Sequence, residues 1–215
     1  MIYTAESVRG NLKKKELALM HKGTAPVLFL FKAGVGVKSN IELRKSVRTY
    51  APKTVETEKM EVIIKAGNLA PVFGRFHMTV IENQQLLQEI NDITLDMMKH
   101  SGDEFLEKRA ATVGYNPLYG APALIILSAP NGNDSNGFNM ANVSCAVENM
   151  IVQATELGLG SCFVMGPTIA FANPELVKKA EIPEGHTPLV GVLVGYPLEG
   201  LEGNKRNVSN NVTYL

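Results

Sequence analysis

The chain has no excess charge of either sign: 21 basic and 21 acidic residues cancel over 215 positions. A general attraction to nucleic acid is therefore excluded, and any anion site has to be built locally. Cysteine is scarce. Cys145 and Cys162 are too few for a disulfide framework, and neither stands in a metal-ligand spacing. Free thiols in a reducing cytoplasm are the expectation. His21, His77, His100 and His186 are scattered with no His-x-x-x-His or His/Cys grouping, which argues for structural or surface roles and against a metal centre. The apolar run Val27–Phe31 is far too short to span a membrane, and it lies too deep, behind charged residues, for a good signal peptide. Without such a signal the N-x-S/T sequons at Asn133, Asn142, Asn207 and Asn211 carry no weight. Gly34 and Gly36 form a lone Gly-x-Gly that lacks the third glycine and following helix of a dinucleotide site. Ser161 follows Gly-Leu-Gly and is not in a Gly-x-Ser-x-Gly elbow, which excludes a hydrolase nucleophile of that kind.

What is present is an ordinary globular composition, 45% hydrophobic and 20% charged, sufficient for one large or two small domains. Residues 1–40 are set apart as an N-terminal extension of uncertain role, and no boundary stands out in 41–215. A helix is predicted from Thr57, capped by Thr57 and carrying Met60, Ile63, Ile64 and Leu69. The segment 77–81 reads as a strand. Asn83 caps a second helix with Leu86, Leu87, Ile90, Ile93 and Met97 on one stripe. A short charged helix and a loop rich in Gly, Tyr and Pro fill 101–120. Residues 123–128 are apolar without alternation, a strand buried on both faces. The strongest helical periodicity runs from about 142 to 157, through Val143, Ala146, Val147, Met150, Ile151, Ala154 and Leu157. Its small residues suit close approach of another helix, and Gly158 and Gly160 end it. Strands follow at 161–165 and 189–194, with a helix from Asn173-Pro174 between them and a short strand-like end at 212–215. The alternation implies an α+β domain with helices around a central sheet. Phe73 and Phe76 sit in a loop, off any periodic stripe, and fit either a substrate pocket or packing.

The most informative stretch is residues 41–50, which places Arg44, Ser46 and Arg48 at alternate positions. In an extended segment these side chains share one side; in a helix Arg44 and Arg48 still share a face. Guanidinium forks and a hydroxyl converging on one spot suit a phosphate. The same triplet also fits a solvated basic start of a helix.

Several pieces in order resemble the nitroreductase family of FMN-dependent oxidoreductases over about residues 41–215. They are Arg44-Lys-Ser-Val-Arg48 before an aromatic, Ala70-Pro71, Ala121-Pro122 before an apolar strand, Leu157-Gly-Leu-Gly-Ser161, and Ile182-Pro-Glu-Gly185 ahead of Gly195-Tyr-Pro197. The resemblance implies a nitroreductase-like fold with a central, mostly antiparallel sheet, and an intertwined homodimer with FMN at the subunit interface. It implies Arg44, Lys45 and Ser46 at the FMN phosphate and ribityl chain, Arg48 at the pyrimidine edge, backbone groups of Met165 and Gly166 near flavin N5, and Lys205 and Arg206 completing the phosphate site. It further implies NADH or NADPH as hydride donor and a nitroaromatic, quinone or similar flat acceptor, with no catalytic acid, base or nucleophile on the chain. The family's loop after Ala-Pro usually carries an Asn and then Gln-Pro-Trp. Here Ala70–Phe76 is shorter and lacks both the Asn and the Gln-Pro. Arg75 is the residue that can take over there, unless it is only an exposed loop arginine. The altered loop also keeps open a non-catalytic flavin carrier or sensor.

Overall fold

The computed structural model describes residues 37–132, 134, 137–201 and 211–215. The chain divides between Ser39 and Asn40 into two units, and the sheet belongs to the second. The features read in residues 1–36 of the N-terminal extension, together with Lys205 and Arg206, lie outside the described residues.

Four strands form one antiparallel sheet in the order β1-β2-β4-β3. They are β1 (His77–Ile81), β2 (Ala123–Pro130), β3 (Gly160–Val164) and β4 (His186–Gly195). The helices are α1 (Val37–Leu43), α2 (Thr57–Asn68), α3 (Gln84–Lys99), α4 (Glu104–Ala110), α5 (Phe138–Glu156) and α6 (Pro174–Lys179), with a 3-10 turn over Gly166–Ala172. The sheet is covered on both faces, which gives three layers. On one face Leu124, Ile126, Cys162, Val164 and Leu193 pack against Leu87 and Ile90 of α3, the 3-10 turn and Leu176 of α6. On the other, Ala123, Ile125, Leu127, Val190, Val192 and Val194 pack against α2 and α5. Strands sandwiched this way need apolar residues at successive positions, which is why β2 shows no alternation.

Most helix boundaries obey local chemistry. The Asn83 side chain accepts from Leu86 N at 3.0 Å and opens α3. Asn173 accepts from Glu175 N at 3.0 Å ahead of Pro174. Both are N-cap bonds that satisfy a backbone donor the helix leaves free.

The structure corrects several expectations. Thr57 is the first helical residue of α2; the N-cap is Glu56, whose side chain makes no cap bond because it is taken up by Tyr196. Leu69 lies past the end of α2 and is exposed. The buried line of α3 runs through Leu87, Ile90, Asn91, Thr94 and Met98, one step round from the expected stripe. α5 begins one turn early, at Phe138, because Gly137 (φ 67) adopts a left-handed N-cap conformation that costs glycine nothing. The small-residue stripe of α5 is spent inside its own subunit. Val143, Ala146, Val147, Met150 and Ala154 are all fully buried, and a Cβ on Gly67 of α2 would lie 2.9 Å from Met150 Cγ. The helix that approaches it closely is therefore α2. Gly158 does leave α5 with φ 72, whereas Gly160 opens β3. Residues 212–215 form no strand and are exposed.

Candidate functional site

Residues 44–50 are tied to the end of the sheet by backbone bonds. Ser46 bridges Ser161 in parallel, and Tyr50 bridges Pro197 in antiparallel fashion. Val47 N donates to Ser161 O (2.9 Å), Ala51 N to Tyr196 O (2.8 Å) and Leu198 N to Thr49 O (3.1 Å). Val47 and Tyr50 point inward, and the Tyr50 hydroxyl donates to Val47 O at 2.9 Å in a buried setting. Burial pushes the Tyr50 phenol far above its ordinary value, so it stays a donor. With Val47 and Tyr50 buried, Arg44, Lys45 and Ser46 are half-buried and Arg48 is exposed.

Arg44 Nε lies 3.1 Å from Glu148 Oε1 of α5. It is nevertheless a buried donor without an aligned hydrogen-bond acceptor among the described residues. A buried N–H without an aligned acceptor is costly, and the ion pair with Glu148 offsets part of that cost. The Glu148 side chain is half-exposed.

Arg48 lies beside a cavity of about 220 Å³. One wall is Arg48 with Cys162, Val164, Met165 and Gly166, where β3 runs into the 3-10 turn. The facing wall comes from the end of α3, from α4 and from the loop after it, with Phe105, Arg109, Tyr115 and Tyr119. The Arg48 guanidinium stands 5.8 Å from the centre of the Tyr119 ring. Arg109 Nη2 donates to Tyr119 Oη at 2.7 Å, and its guanidinium lies 5.0 Å from the Tyr115 ring centre. Hydrogen bonding to Tyr115, then to Tyr119, raises the Arg109 pKa further, so the charge is permanent. Tyr119 has φ 53, a left-handed conformation uncommon for a bulky residue and a mark of strain held in place by its surroundings. Burial pushes the Cys162 thiol up, which makes it a packing group and a poor nucleophile.

The structure thus brings Arg48, Met165 and Gly166 to one cavity, with Arg44, Lys45 and Ser46 on the adjoining segment. Phe73, Arg75 and Phe76 sit on a different loop, between α2 and β1. There Asn142 Oδ1 accepts from Phe73 N (2.9 Å) and Asn142 Nδ2 donates to Phe73 O (2.6 Å). Phe73 is 77% exposed and tilts against Phe138 at 5.6 Å. Phe76 packs into the core between the sheet, α2 and α5, and Arg75 is exposed. Neither Phe73 nor Phe76 lines the cavity of Arg48. His77 meets His186 edge to face at 6.4 Å, away from that cavity, and no cluster of metal ligands occurs among the described residues.

Sequence reasoning missed Arg109, Tyr115, Tyr119 and Asn142. The tyrosine-rich composition of 101–120 was the available signal for the first three. Asn142 gave none, since its partner is 69 positions away.

The sequence profile of the nitroreductase family matches residues 41–196. The chain belongs to the nitroreductase family. A curated relative, a putative NADH dehydrogenase/NAD(P)H nitroreductase of Archaeoglobus fulgidus, is 26% identical over 166 residues, covering 73% of this chain and 83% of the relative. Among solved structures, an FMN-bound nitroreductase from Bacteroides fragilis superposes with a TM-score of 0.73 at 29% identity, covering 83% of this chain and 97% of that one. A nitroreductase with bound FMN from Desulfitobacterium hafniense has a TM-score of 0.76 at 22% identity, covering 83% and 97%. The second likeness is one of fold. This nitroreductase-family chain has no helix among its described residues long and apolar enough to cross a membrane.

Proposed function

We propose that this chain is an FMN-dependent oxidoreductase that takes two electrons from NADH or NADPH and passes them to a nitroaromatic, quinone or similar flat acceptor. Family membership and the FMN bound by the Bacteroides fragilis relative support this reading. The observation that carries it on this chain is the arginine segment locked to the sheet, with the buried Arg44 Nε lacking an aligned acceptor among the described residues.

The residues fit FMN. Arg44, Lys45 and Ser46 would supply donors for a phosphate dianion on a chain of zero net charge, and the family resemblance would add Lys205 and Arg206, which lie outside the described residues. Arg48 would meet the pyrimidine edge, and backbone groups of Met165 and Gly166 the side near N5. The flavin, when bound, supplies the redox chemistry by accepting hydride from the nicotinamide and yielding it to the acceptor. The chain's own work is positioning and electrostatics. The Arg48 guanidinium stands 5.8 Å from the Tyr119 ring centre, and a cation there would favour negative charge on the pyrimidine of a bound flavin. With Phe73 clamped by Asn142, Arg75 is carried on a loop of set course, from which it would replace the family's missing Asn. Phe73 and Phe76 would serve the acceptor from the same loop. The working form would be a homodimer with FMN between subunits, in the cytoplasm.

The test is an anaerobic spectrum of the purified protein with added FMN. The reading predicts flavin absorbance that NADH or NADPH bleaches and that an acceptor restores, one acceptor reduced by two electrons per nicotinamide. Flavin absorbance with no bleaching by either nicotinamide would favour a carrier or sensor. A protein that takes up no FMN would defeat both readings.

A further inference from the structure

We propose that Glu148 is a positioning residue for the cofactor phosphate: it holds the Arg44 guanidinium at Nε and leaves the rest of the fork to the ligand. This rests on the FMN reading of the arginine segment, and it gives α5 a part in the binding site.

The backbones on both sides of the contact are fixed. On α5, Val147 and Met150 are fully buried, and Asn149 Nδ2 donates to Ala66 O of α2 at 3.2 Å. Glu148 therefore cannot follow a moving partner by a shift of its helix. On the other side, Arg44 N donates to Asn40 O and Val47 N to Ser161 O, both at 2.9 Å. What stays adjustable is the Arg44 side chain, whose Nε lies 3.1 Å from Glu148 Oε1. The Nε–H is not aligned on an acceptor among the described residues, so the carboxylate steers the guanidinium by charge. Among the described residues no other carboxylate lies within ion-pair distance of Arg44. Of the five N–H donors of an arginine, four stand on the two Nη atoms, away from the contact at Nε. Those four make the planar fork that matches phosphate oxygens. An arginine has much rotamer freedom to lose when it binds, and one already confined loses less. The negative charge of Glu148 acts on a phosphate in the opposite sense. Water screens that repulsion because the Glu148 side chain is half-exposed, and Lys45 on the same segment adds a second cation. Confinement of Arg44 outweighs it.

The same contact admits two other roles: Glu148 competes with the phosphate for Arg44, or it merely ties α5 to the arginine segment. Calorimetric titration of the flavin-free full chain with FMN and with riboflavin, which lacks the phosphate, separates the three. Wild type should bind FMN more tightly than riboflavin. Glu148→Gln keeps the size and removes the charge. It should weaken FMN about fivefold, the cost of ordering one rotamer-rich side chain on binding, and leave riboflavin as it was. Glu148→Asp should fall between wild type and Glu148→Gln. Glu156→Gln, an exposed charge further along α5, should change neither flavin. Tighter FMN binding in Glu148→Gln overturns the proposal in favour of competition. An equal loss for both flavins overturns it in favour of a structural tie, and no change in either overturns it outright. A wild type that binds both flavins equally removes the phosphate contact and this proposal with it; the oxidoreductase reading then stands if a nicotinamide still bleaches the flavin. A protein that takes up neither flavin defeats the FMN reading itself. If Glu148→Gln does not fold, the ratio of FMN to riboflavin affinity in Glu148→Asp decides: a lowered ratio supports the proposal and an unchanged one overturns it.

Discussion

Val47 fills the space that a side chain on Gly160 would take. A Cβ there would lie 2.8 Å from Val47 Cγ2 and 2.9 Å from Cγ1. The arginine segment can lie flat on the start of β3 only because that position is bare. Gly160→Ala is expected to lower stability by about 1–3 kcal/mol through overpacking and to weaken FMN binding by displacing Ser46 and Arg48. Thermal unfolding and an FMN titration check both, and adding Val47→Ala should return much of the FMN affinity.

The Tyr50 hydroxyl bond to Val47 O makes a second prediction. Tyr50→Phe should cost about 1 kcal/mol, read in a denaturant melt. The folded-state phenol pKa lies above the unfolded value, which is near 10 for a tyrosine open to water. Stability from this group is therefore full below pH 10 and falls as pH rises beyond it. The alkaline decline in melting temperature should be shallower in the Phe variant.

Asn142 is buried and bonds both the N–H and the C=O of Phe73. Asn142→Leu should destabilise the fold by about 1–3 kcal/mol, since it strands those groups, and should free the loop 71–76. Hydrogen exchange at the Phe73 amide should rise more than at the core amides of β2. Equal rises throughout would mean that the loop is not separately latched.

Glu56 accepts from the Tyr196 hydroxyl at 2.6 Å and lies 3.2 Å from Lys53 Nζ. The Tyr196 bond, first among the causes, holds its carboxyl at about 2. A lowered folded pKa contributes stability above the ordinary carboxylate value of 4.5, lost as pH falls from there towards 2. The carboxyl is exposed, so the prediction concerns titration: carbon-detected NMR should find Glu56 ionised well below pH 4, and Tyr196→Phe should move it back towards its usual range.

Legibility in the sequence followed the range of the interaction. Asn83 and Asn173 announce their helices because a cap bond spans two or three residues. β2 announces itself because burial on both faces dictates its composition. The arginine segment was readable as residue types, and the family resemblance supplied their order. Gly160 looked like a helix terminator because its real constraint, Val47, stands 113 positions earlier and leaves no local trace. The cavity wall at Arg109 and Tyr119 stayed hidden for a different reason. Its two members are near in sequence, but the strained turn at Tyr119 carries no residue signature, since glycine or asparagine is what such a φ ordinarily selects. The small residues of α5 read correctly as a contact surface, and only the folded chain told which helix they met.

The bridge between Tyr50 and Pro197 has a temporal consequence. The chain emerges from the ribosome N-terminus first, so Arg44–Arg48 exists long before the strand edge that anchors it. Ser161 is made 113 residues after Arg48, and Tyr196 another 35 residues later. Until then the arginines have no fixed geometry to offer. On the proposed reading, cofactor loading waits until residues 196–198 have been made, and a chain stopped before residue 196 would lack those anchors of the arginine segment.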